Sequence, residues 1–120
     1  MIDSDGHTRM CDFGLSKILE KGQLCYTYCG TPPYMPPEMV SNSPVYDAKV
    51  DLWSLAISIY EWYTRGELPF PEDDSDKMMK AISSKNPFNL SKVNKFNPNG
   101  TDFLSKMLEK NPKKRLGYSG

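Results

Sequence analysis

The feature that most constrains this chain is the segment DLWSLAISIYEWYT at residues 51–64. Its apolar side chains recur at helical spacing on two faces, so that only a narrow polar stripe remains between them. A helix that is apolar on nearly all sides is expected to lie inside a core. Its first residue has a simple local explanation, because an acidic side chain in the first turn favours the helix dipole. The stripe consists of Asp51, Ser54, Ser58 and Glu61.

The rest of the chain predicts a mainly α-helical fold with a short β-hairpin at the N-terminus. Residues 2–11 contain two extended segments around a run of turn-forming residues, which is typical of a hairpin. A second helix is predicted over residues 74–84 and a third over 101–110, where an Asn-Pro step ends it. The Asn-, Ser- and Pro-rich residues 86–100 predict a loop. With 120 residues, the chain is long enough for one domain and too short for two.

Charge and hydropathy exclude several classes of function. Fifteen basic and fifteen acidic residues cancel, so no overall field draws the chain to nucleic acid or to an anionic membrane. The apolar stretch 52–60 is interrupted by serines and falls far below the roughly 20 residues of a membrane helix. The polar N-terminus differs from a secretory signal, so we expect a cytoplasmic or nuclear location. We therefore expect neither a nucleic-acid partner nor a membrane span.

Four side chains could together bind zinc, namely Cys11, Cys25, Cys29 and His7. Their spacing contains no Cys-x-x-Cys pair of the kind that holds structural zinc. The odd number of cysteines also argues against a disulfide framework. We therefore expect no zinc site.

The stretch CDFGLSK at residues 11–17 places one carboxylate beside an aromatic ring and a glycine. Asp12 would lie just after the end of a predicted strand, where a carboxylate can hold a magnesium ion on nucleotide phosphates. The same residue types also end an ordinary strand in a turn. The stretch taken alone leaves both interpretations open.

A long loop follows and ends in the proline-rich sequence TPPYMPPE. Residues 15–34 show no sustained periodicity, and loops of this length are usually functional or disordered. The four prolines of this sequence make the chain stiff and extended, so that it could form a surface on which a peptide binds. Alternatively, residues 33–36 match the P-x-x-P pattern that SH3-type grooves bind.

Four motifs occur in order along the chain: DFG at 12–14, CGTPPYMPPE at 29–38, DLWSLA at 51–56 and NPKKRLG at 111–117. Together they resemble the C-terminal lobe of a eukaryotic protein kinase of the serine/threonine type. The resemblance covers essentially all of residues 1–120 and implies a partial C-lobe of a domain that is α+β when complete. The forms DFGLSK, CGTP and NPKKRLG look most like the AGC branch, with its cyclic-nucleotide-dependent, Akt-like and ribosomal S6 kinase-like enzymes.

The resemblance implies a role for several residues near the reaction. Asp12 would bind Mg²⁺ on the phosphates of ATP, with Phe13 and Gly14 completing the cofactor-binding motif. Thr27 matches the activation-loop phosphorylation site, where an upstream activating kinase would add about −1.5 to −2 charges. Thr31 matches the hydroxyl that lies beside the serine or threonine of a protein or peptide substrate.

Other matches imply structural roles. Glu38 resembles the glutamate of the Ala-Pro-Glu motif, which in the family pairs with the arginine that matches Arg115. Such a buried, bidentate contact would fix the far end of the loop, and this weighs against a free SH3 ligand. In the family, the residue matching Asp51 accepts hydrogen bonds from the catalytic loop, so Asp51, with Trp53 of the same motif, becomes a scaffold residue.

The match is incomplete in one respect that concerns activity. The 120 residues contain no glycine-rich loop, no phosphate-binding lysine and no His-Arg-Asp catalytic loop. One metal ligand without its co-ligands positions no phosphate. We therefore expect the isolated chain to be catalytically incomplete, with ATP and Mg²⁺ serving a longer parent kinase. The alternative is a short protein that acts without catalysis, as a kinase-lobe decoy or docking module.

Overall fold

The structure is a computed structural model, and it describes residues 1–84, 93 and 98–117. This part of the chain is mostly helical. Two short 3₁₀ helices precede the first of its α-helices along the chain. The α-helices are α1 at Lys49–Thr64, α2 at Ser75–Ser84 and α3 at Pro98–Met107, and the 3₁₀ helices span Phe13–Leu15 and Pro32–Tyr34.

The three predicted helices are confirmed, with shifted ends. Helix α1 begins at Lys49 rather than at residue 51, and α2 begins one residue later than predicted. Helix α3 begins at Pro98 rather than at residue 101, which suits proline in a first turn. The predicted loop over 86–100 lies for the most part outside the described residues.

The predicted N-terminal β-hairpin is wrong. Within the described residues, this segment contains one isolated antiparallel bridge, between Ile2 and Thr8, and no strand. The carboxylate of Asp3 accepts hydrogen bonds from the backbone N–H groups of Asp5 and His7, at 3.1 and 2.8 Å. These bonds hold the segment as a tight turn. A hairpin of two strands alone would be only marginally stable in water.

Helix α1 buries one face rather than its whole circumference. Trp53, Ala56 and Ile57 are fully buried, whereas Leu55 is 47% exposed and Trp62 is 64% exposed. The expectation that this helix lies entirely inside a core therefore holds for one side only. The core that this side forms with the other helices consists of Trp53, Ala56, Ile57, Tyr60, Phe70, Met78, Ala81, Ile82, Val93, Leu104, Met107 and Leu108.

Helix packing places the proline-rich segment next to α1. Helix α3 packs on α1, and the 3₁₀ helix Pro32–Tyr34 contacts both α1 and α2. The short helix therefore lies between two longer helices, although all its own residues remain partly exposed. Among the described residues, no helix combines the length and the hydropathy that crossing a membrane requires.

Candidate functional site

A largely buried ion pair joins the proline-rich segment to the last motif of the chain. Arg115 donates from Nη1 to Oε1 of Glu38 at 2.7 Å and from Nη2 to Oε2 at 3.0 Å. The Arg115 side chain is 0% exposed and the Glu38 side chain 10% exposed. A planar guanidinium meets a carboxylate best in this two-bond arrangement. The Glu38–Arg115 pair therefore joins two segments that lie 77 residues apart.

Two further donors of Arg115 also have partners. Nε donates to the carbonyl oxygen of Glu109 at 3.0 Å, and Nη1 also donates to the carbonyl oxygen of Lys49 at 3.0 Å. The guanidinium carbon lies 5.2 Å from the ring centroid of Trp53, which places the cation over the indole face. Trp53 in turn stacks on Phe70, with ring centroids 6.3 Å apart. These contacts compensate for much of the cost of burying the charge.

The proline-rich segment is also attached to α1 in its middle. The Tyr34 hydroxyl donates to Oε2 of Glu61 at 2.8 Å, and Ser54 Oγ donates to the carbonyl oxygen of Tyr34 at 2.9 Å. The hydrogen bond to the Glu61 carboxylate raises the pKa of Tyr34, and burial and the charge of Glu61 act in the same direction. Met35 and Pro36 are buried. A segment held in this way is not available to an SH3-type groove.

Ser54 and Glu61 belong to the polar stripe of α1, and they were not among the predicted site residues. They lie seven residues apart, about two helical turns, and so share one face of the helix. The signal for them was a pair of polar residues at this spacing in an otherwise apolar helix. The stripe therefore faces the proline-rich segment at these two positions rather than only solvent.

The predicted substrate-facing residue and the predicted scaffold aspartate line one small cavity of about 200 Å³. Thr31 is exposed at the start of the proline-rich segment, and Asp51 is exposed in the first turn of α1. Leu15, which directly follows the DFG motif, lies in the same wall. The cavity thus joins two of the four motifs with the residue that follows a third. No described residue donates a hydrogen bond to the Asp51 carboxylate.

The predicted phosphorylation site is accessible. Thr27 is exposed, and its carbonyl oxygen accepts a hydrogen bond from the Tyr46 hydroxyl at 2.7 Å. The neighbouring Tyr28 is 53% exposed, and its hydroxyl lies 3.4 Å from the sulfur of Met79 on α2. The loop is therefore held at its backbone and at one neighbouring side chain, while the Thr27 side chain faces solvent.

The predicted metal ligand lies apart from any multi-ligand cluster in the described residues. Asp12 is exposed and has left-handed backbone angles, with φ 64° and ψ 69°, and Phe13 beside it is 62% exposed. A Cβ added at Gly14 would lie 3.5 Å from Oδ1 of Asp12, an ordinary contact. Mg²⁺ in nucleotide sites is held by one or two carboxylates together with phosphate oxygens and water. A single exposed carboxylate fits that role only in part, because its co-ligands must come from elsewhere.

A group of potential metal ligands that the sequence reasoning missed lies in the N-terminal turn. Side-chain ligand atoms of Asp3, Asp5 and His7 lie within 4.8 Å of one another, and the group includes none of the cysteines. Asp3 is already paired, because Arg9 Nε donates to its carboxylate at 2.8 Å. The hydrogen bond from Arg9 lowers the pKa of Asp3, followed by that from the backbone of His7. Exposed acidic groups in a turn commonly lie this close together without a metal ion.

Comparison with known proteins decides the family. The family model for the protein kinase domain matches residues 1–119. The chain belongs to the protein kinase family. This family consists of enzymes that normally use ATP and Mg²⁺.

Similar proteins are AGC-type serine/threonine kinases. Serine/threonine-protein kinase sck2 of Schizosaccharomyces pombe is 38% identical over 100% of this chain and 18% of its own length. Serine/threonine-protein kinase akt-2 of Caenorhabditis elegans is 36% identical over 98% of this chain and 21% of its own length. RAC-beta serine/threonine-protein kinase of Rattus norvegicus is 36% identical over 98% of this chain and 24% of its own length. The chain thus spans about a fifth of these relatives and is part of a kinase domain.

Proposed function

We propose that this chain is the C-lobe portion of a serine/threonine protein kinase that transfers the γ-phosphate of ATP to serine or threonine residues of protein substrates. The isolated chain is catalytically incomplete. The observation that carries this proposal is the anchoring of residues 31–38 in a chain of the kinase family. The Glu38–Arg115 pair fixes one end of this segment, and the contacts of Tyr34 with α1 fix its middle.

The anchored segment would serve to position the substrate. Phosphoryl transfer depends almost entirely on positioning and on electrostatic stabilisation. Thr31 precedes the Pro32–Tyr34 helix, and its carbonyl oxygen accepts the backbone N–H of Tyr34 at 3.0 Å. Because Tyr34 is fixed on α1, Thr31 is held at the rim of the cavity that Asp51 also lines. In this position its hydroxyl can face the serine or threonine of a bound peptide.

Asp12 would supply one ligand to the metal. When Mg²⁺ is bound with ATP, it offsets the negative charge that develops on the transferred phosphoryl group. Phe13 of the same motif would pack differently in the active and the inactive geometry, and Gly14 would let the backbone around Asp12 pivot. The positive φ of Asp12 already places this residue in a backbone region that few non-glycine residues adopt.

Thr27 would be the site through which an upstream kinase controls the loop. Its exposure makes the hydroxyl accessible, and a phosphate adds about −1.5 to −2 charges that can order a loop against basic side chains. In the described residues, the hydrogen bond from the Tyr46 hydroxyl to the Thr27 carbonyl oxygen is the contact that holds the backbone here.

Mass spectrometry of the endogenous protein tests this proposal. We expect peptides of this chain to belong to one longer polypeptide that also contains a glycine-rich loop and a His-Arg-Asp loop. In that protein, Asp12→Ala should abolish phosphorylation of a serine-containing peptide, whereas Asp5→Ala, at an exposed acidic residue of the N-terminal turn, should not. An endogenous protein of only these 120 residues would instead support the non-catalytic docking module.

A further inference from the structure

Tyr28 is a half-exposed tyrosine whose hydroxyl contacts a weak acceptor. Its side chain is 53% exposed, and the residue lies in the loop before the proline-rich segment, outside any helix or strand. The hydroxyl lies 3.4 Å from the sulfur of Met79 on α2. Because a thioether sulfur accepts hydrogen bonds only weakly, little stability is lost when a group is attached to the Tyr28 oxygen.

A cavity of about 640 Å³ lies between Tyr28 and α2, and two side chains in its lining can bind an anion. Lys80 brings a positive charge, and Asn42 brings the two N–H groups of its amide. Within the part of the chain that the structure describes, neither side chain forms a hydrogen bond or an ion pair. Three serines of the lining already donate to backbone carbonyl oxygens, namely Ser41, Ser83 and Ser84. Lys80 and Asn42 are therefore the donors that a phosphate in this cavity would meet.

Asp76 also lines the cavity and acts against an anion. It lies four residues before Lys80, so the two side chains share one face of α2. The lysine side chain is long and flexible, so its ammonium group can follow a phosphate on Tyr28, whereas the short side chain of Asp76 stays close to its own helix. The net effect on a phosphate is attraction, which Asp76 reduces.

The surroundings of Tyr28 distinguish it from other described tyrosines. The hydroxyls of Tyr34 and Tyr46 already donate to protein oxygens, and Tyr60 is only 4% exposed. Tyr26 is 67% exposed, but it does not line the cavity. Of these five tyrosines, Tyr28 combines access from solvent with donors that can receive a phosphate.

We propose that Tyr28 is a phosphorylation site for a tyrosine kinase and that the side chains of Lys80 and Asn42 bind its phosphate. In the modification, the Tyr28 oxygen attacks the γ-phosphorus of ATP, the bond from that phosphorus to the β-phosphate oxygen breaks, and ADP and the phenol proton leave. The phosphate carries about −1.5 to −2 charges and three acceptor oxygens. Its bonds to Lys80 attach the residue next to Thr27 to α2. The modification of Tyr28 does not depend on the proposed function, whereas any effect on phosphorylation of Thr27 does.

Mass spectrometry of the full 120-residue chain tests the modification. The chain is incubated with ATP, Mg²⁺ and the catalytic domain of a tyrosine kinase of broad specificity, and is then digested with trypsin. Cleavage after Lys21 and Lys49 gives peptide 22–49, and fragmentation of that peptide localises the phosphate. We expect phosphate on Tyr28 and none on Tyr34, whose hydroxyl is bound to a carboxylate. Absence of phosphate from Tyr28 overturns the proposal.

Phosphorus NMR of the phosphorylated chain tests the binding of the phosphate. The second ionisation of a phosphate on tyrosine has a pKa of about 6, and the cation of Lys80 should lower this pKa by about half a pH unit, because it favours the doubly charged form. Lys80→Met should restore the ordinary pKa, and Asp76→Asn should lower the pKa further. Lys77→Met is the matched control, because Lys77 is exposed on the same helix and does not line the cavity. Circular dichroism checks that each variant retains its helices. The proposal is also overturned if Lys80→Met leaves the pKa of the phosphate unchanged or if Lys77→Met raises it equally.

Discussion

Replacement of Arg115 by methionine tests the anchor that holds the proline-rich segment. Methionine keeps most of the length of the side chain and removes the charge and all the donors. The Glu38 carboxylate, 10% exposed, then loses both of its hydrogen bonds from the guanidinium. The carbonyl oxygens of Glu109 and Lys49 lose a donor as well.

The expected cost follows from this burial. Removing one partner of a buried ion pair costs about 3–5 kcal/mol, because an uncompensated charge remains. Domains are typically stable by about 5–15 kcal/mol, so Arg115→Met should remove a large part of the free energy of unfolding. With a urea slope of about 2 kcal/mol per molar, the unfolding midpoint should fall by about 1.5–2.5 M. Glu38→Gln together with Arg115→Met should cost less than the sum of the two single changes.

Lys106→Met provides the control for this experiment. Lys106 pairs with Asp102 at 2.7 Å, the same distance as the shortest Arg115 contact, but these side chains are 56% and 65% exposed. An exposed pair contributes about 0.2–1 kcal/mol. Urea unfolding followed by circular dichroism measures both variants. Equal destabilisation by Arg115→Met and Lys106→Met would refute the reasoning.

Three further predictions concern the surroundings of the anchor. In urea unfolding, Gly117→Ala should destabilise the chain more than Gly22→Ala. Both glycines have positive φ, a conformation that costs alanine about 1–2 kcal/mol. At position 117 the new Cβ would also lie 2.7 Å from Leu52 Cδ1, whereas at position 22 it would meet nothing within 4 Å. Equal losses would contradict this. Tyr34→Phe should lower the free energy of unfolding by about 1.5–3 kcal/mol, because Glu61 loses a hydrogen bond, and Tyr26→Phe at an exposed site should not. Stability should fall between about pH 10 and 12, because Tyr46 loses its proton near its ordinary pKa of 10.0 when unfolded and only near 12 when folded. Tyr46→Phe should reduce that fall, and an unchanged pH profile would count against the raised pKa.

Sequence periodicity predicted the helices because each has enough apolar residues at helical spacing. It could not predict that α1 would leave Leu55 and Trp62 exposed, since an all-round apolar pattern does not tell which face finds a partner. The N-terminal hairpin was predicted from turn-forming residues, whereas the hydrogen bonds of the Asp3 side chain hold that segment as a turn.

The sequence predicted those residues of the candidate site that belong to a recognisable motif. Glu38 and Arg115 lie 77 residues apart, and nothing in the local sequence joins them; only the order of motifs pointed to their contact. The contacts of Ser54 and Glu61 with Tyr34 were missed, because polar residues on an apolar helix usually face water. The grouping of Asp3, Asp5 and His7 was missed because it depends on a turn rather than on a spacing motif.

The central claim is that this chain carries the substrate-positioning part of a kinase domain without the groups that complete phosphoryl transfer. A phosphotransfer assay with the purified chain, labelled ATP, Mg²⁺ and a basic serine-containing peptide tests that claim most directly. The account predicts no transfer above the background seen with Asp12→Ala. Transfer by the purified chain that disappears in Asp12→Ala would contradict it.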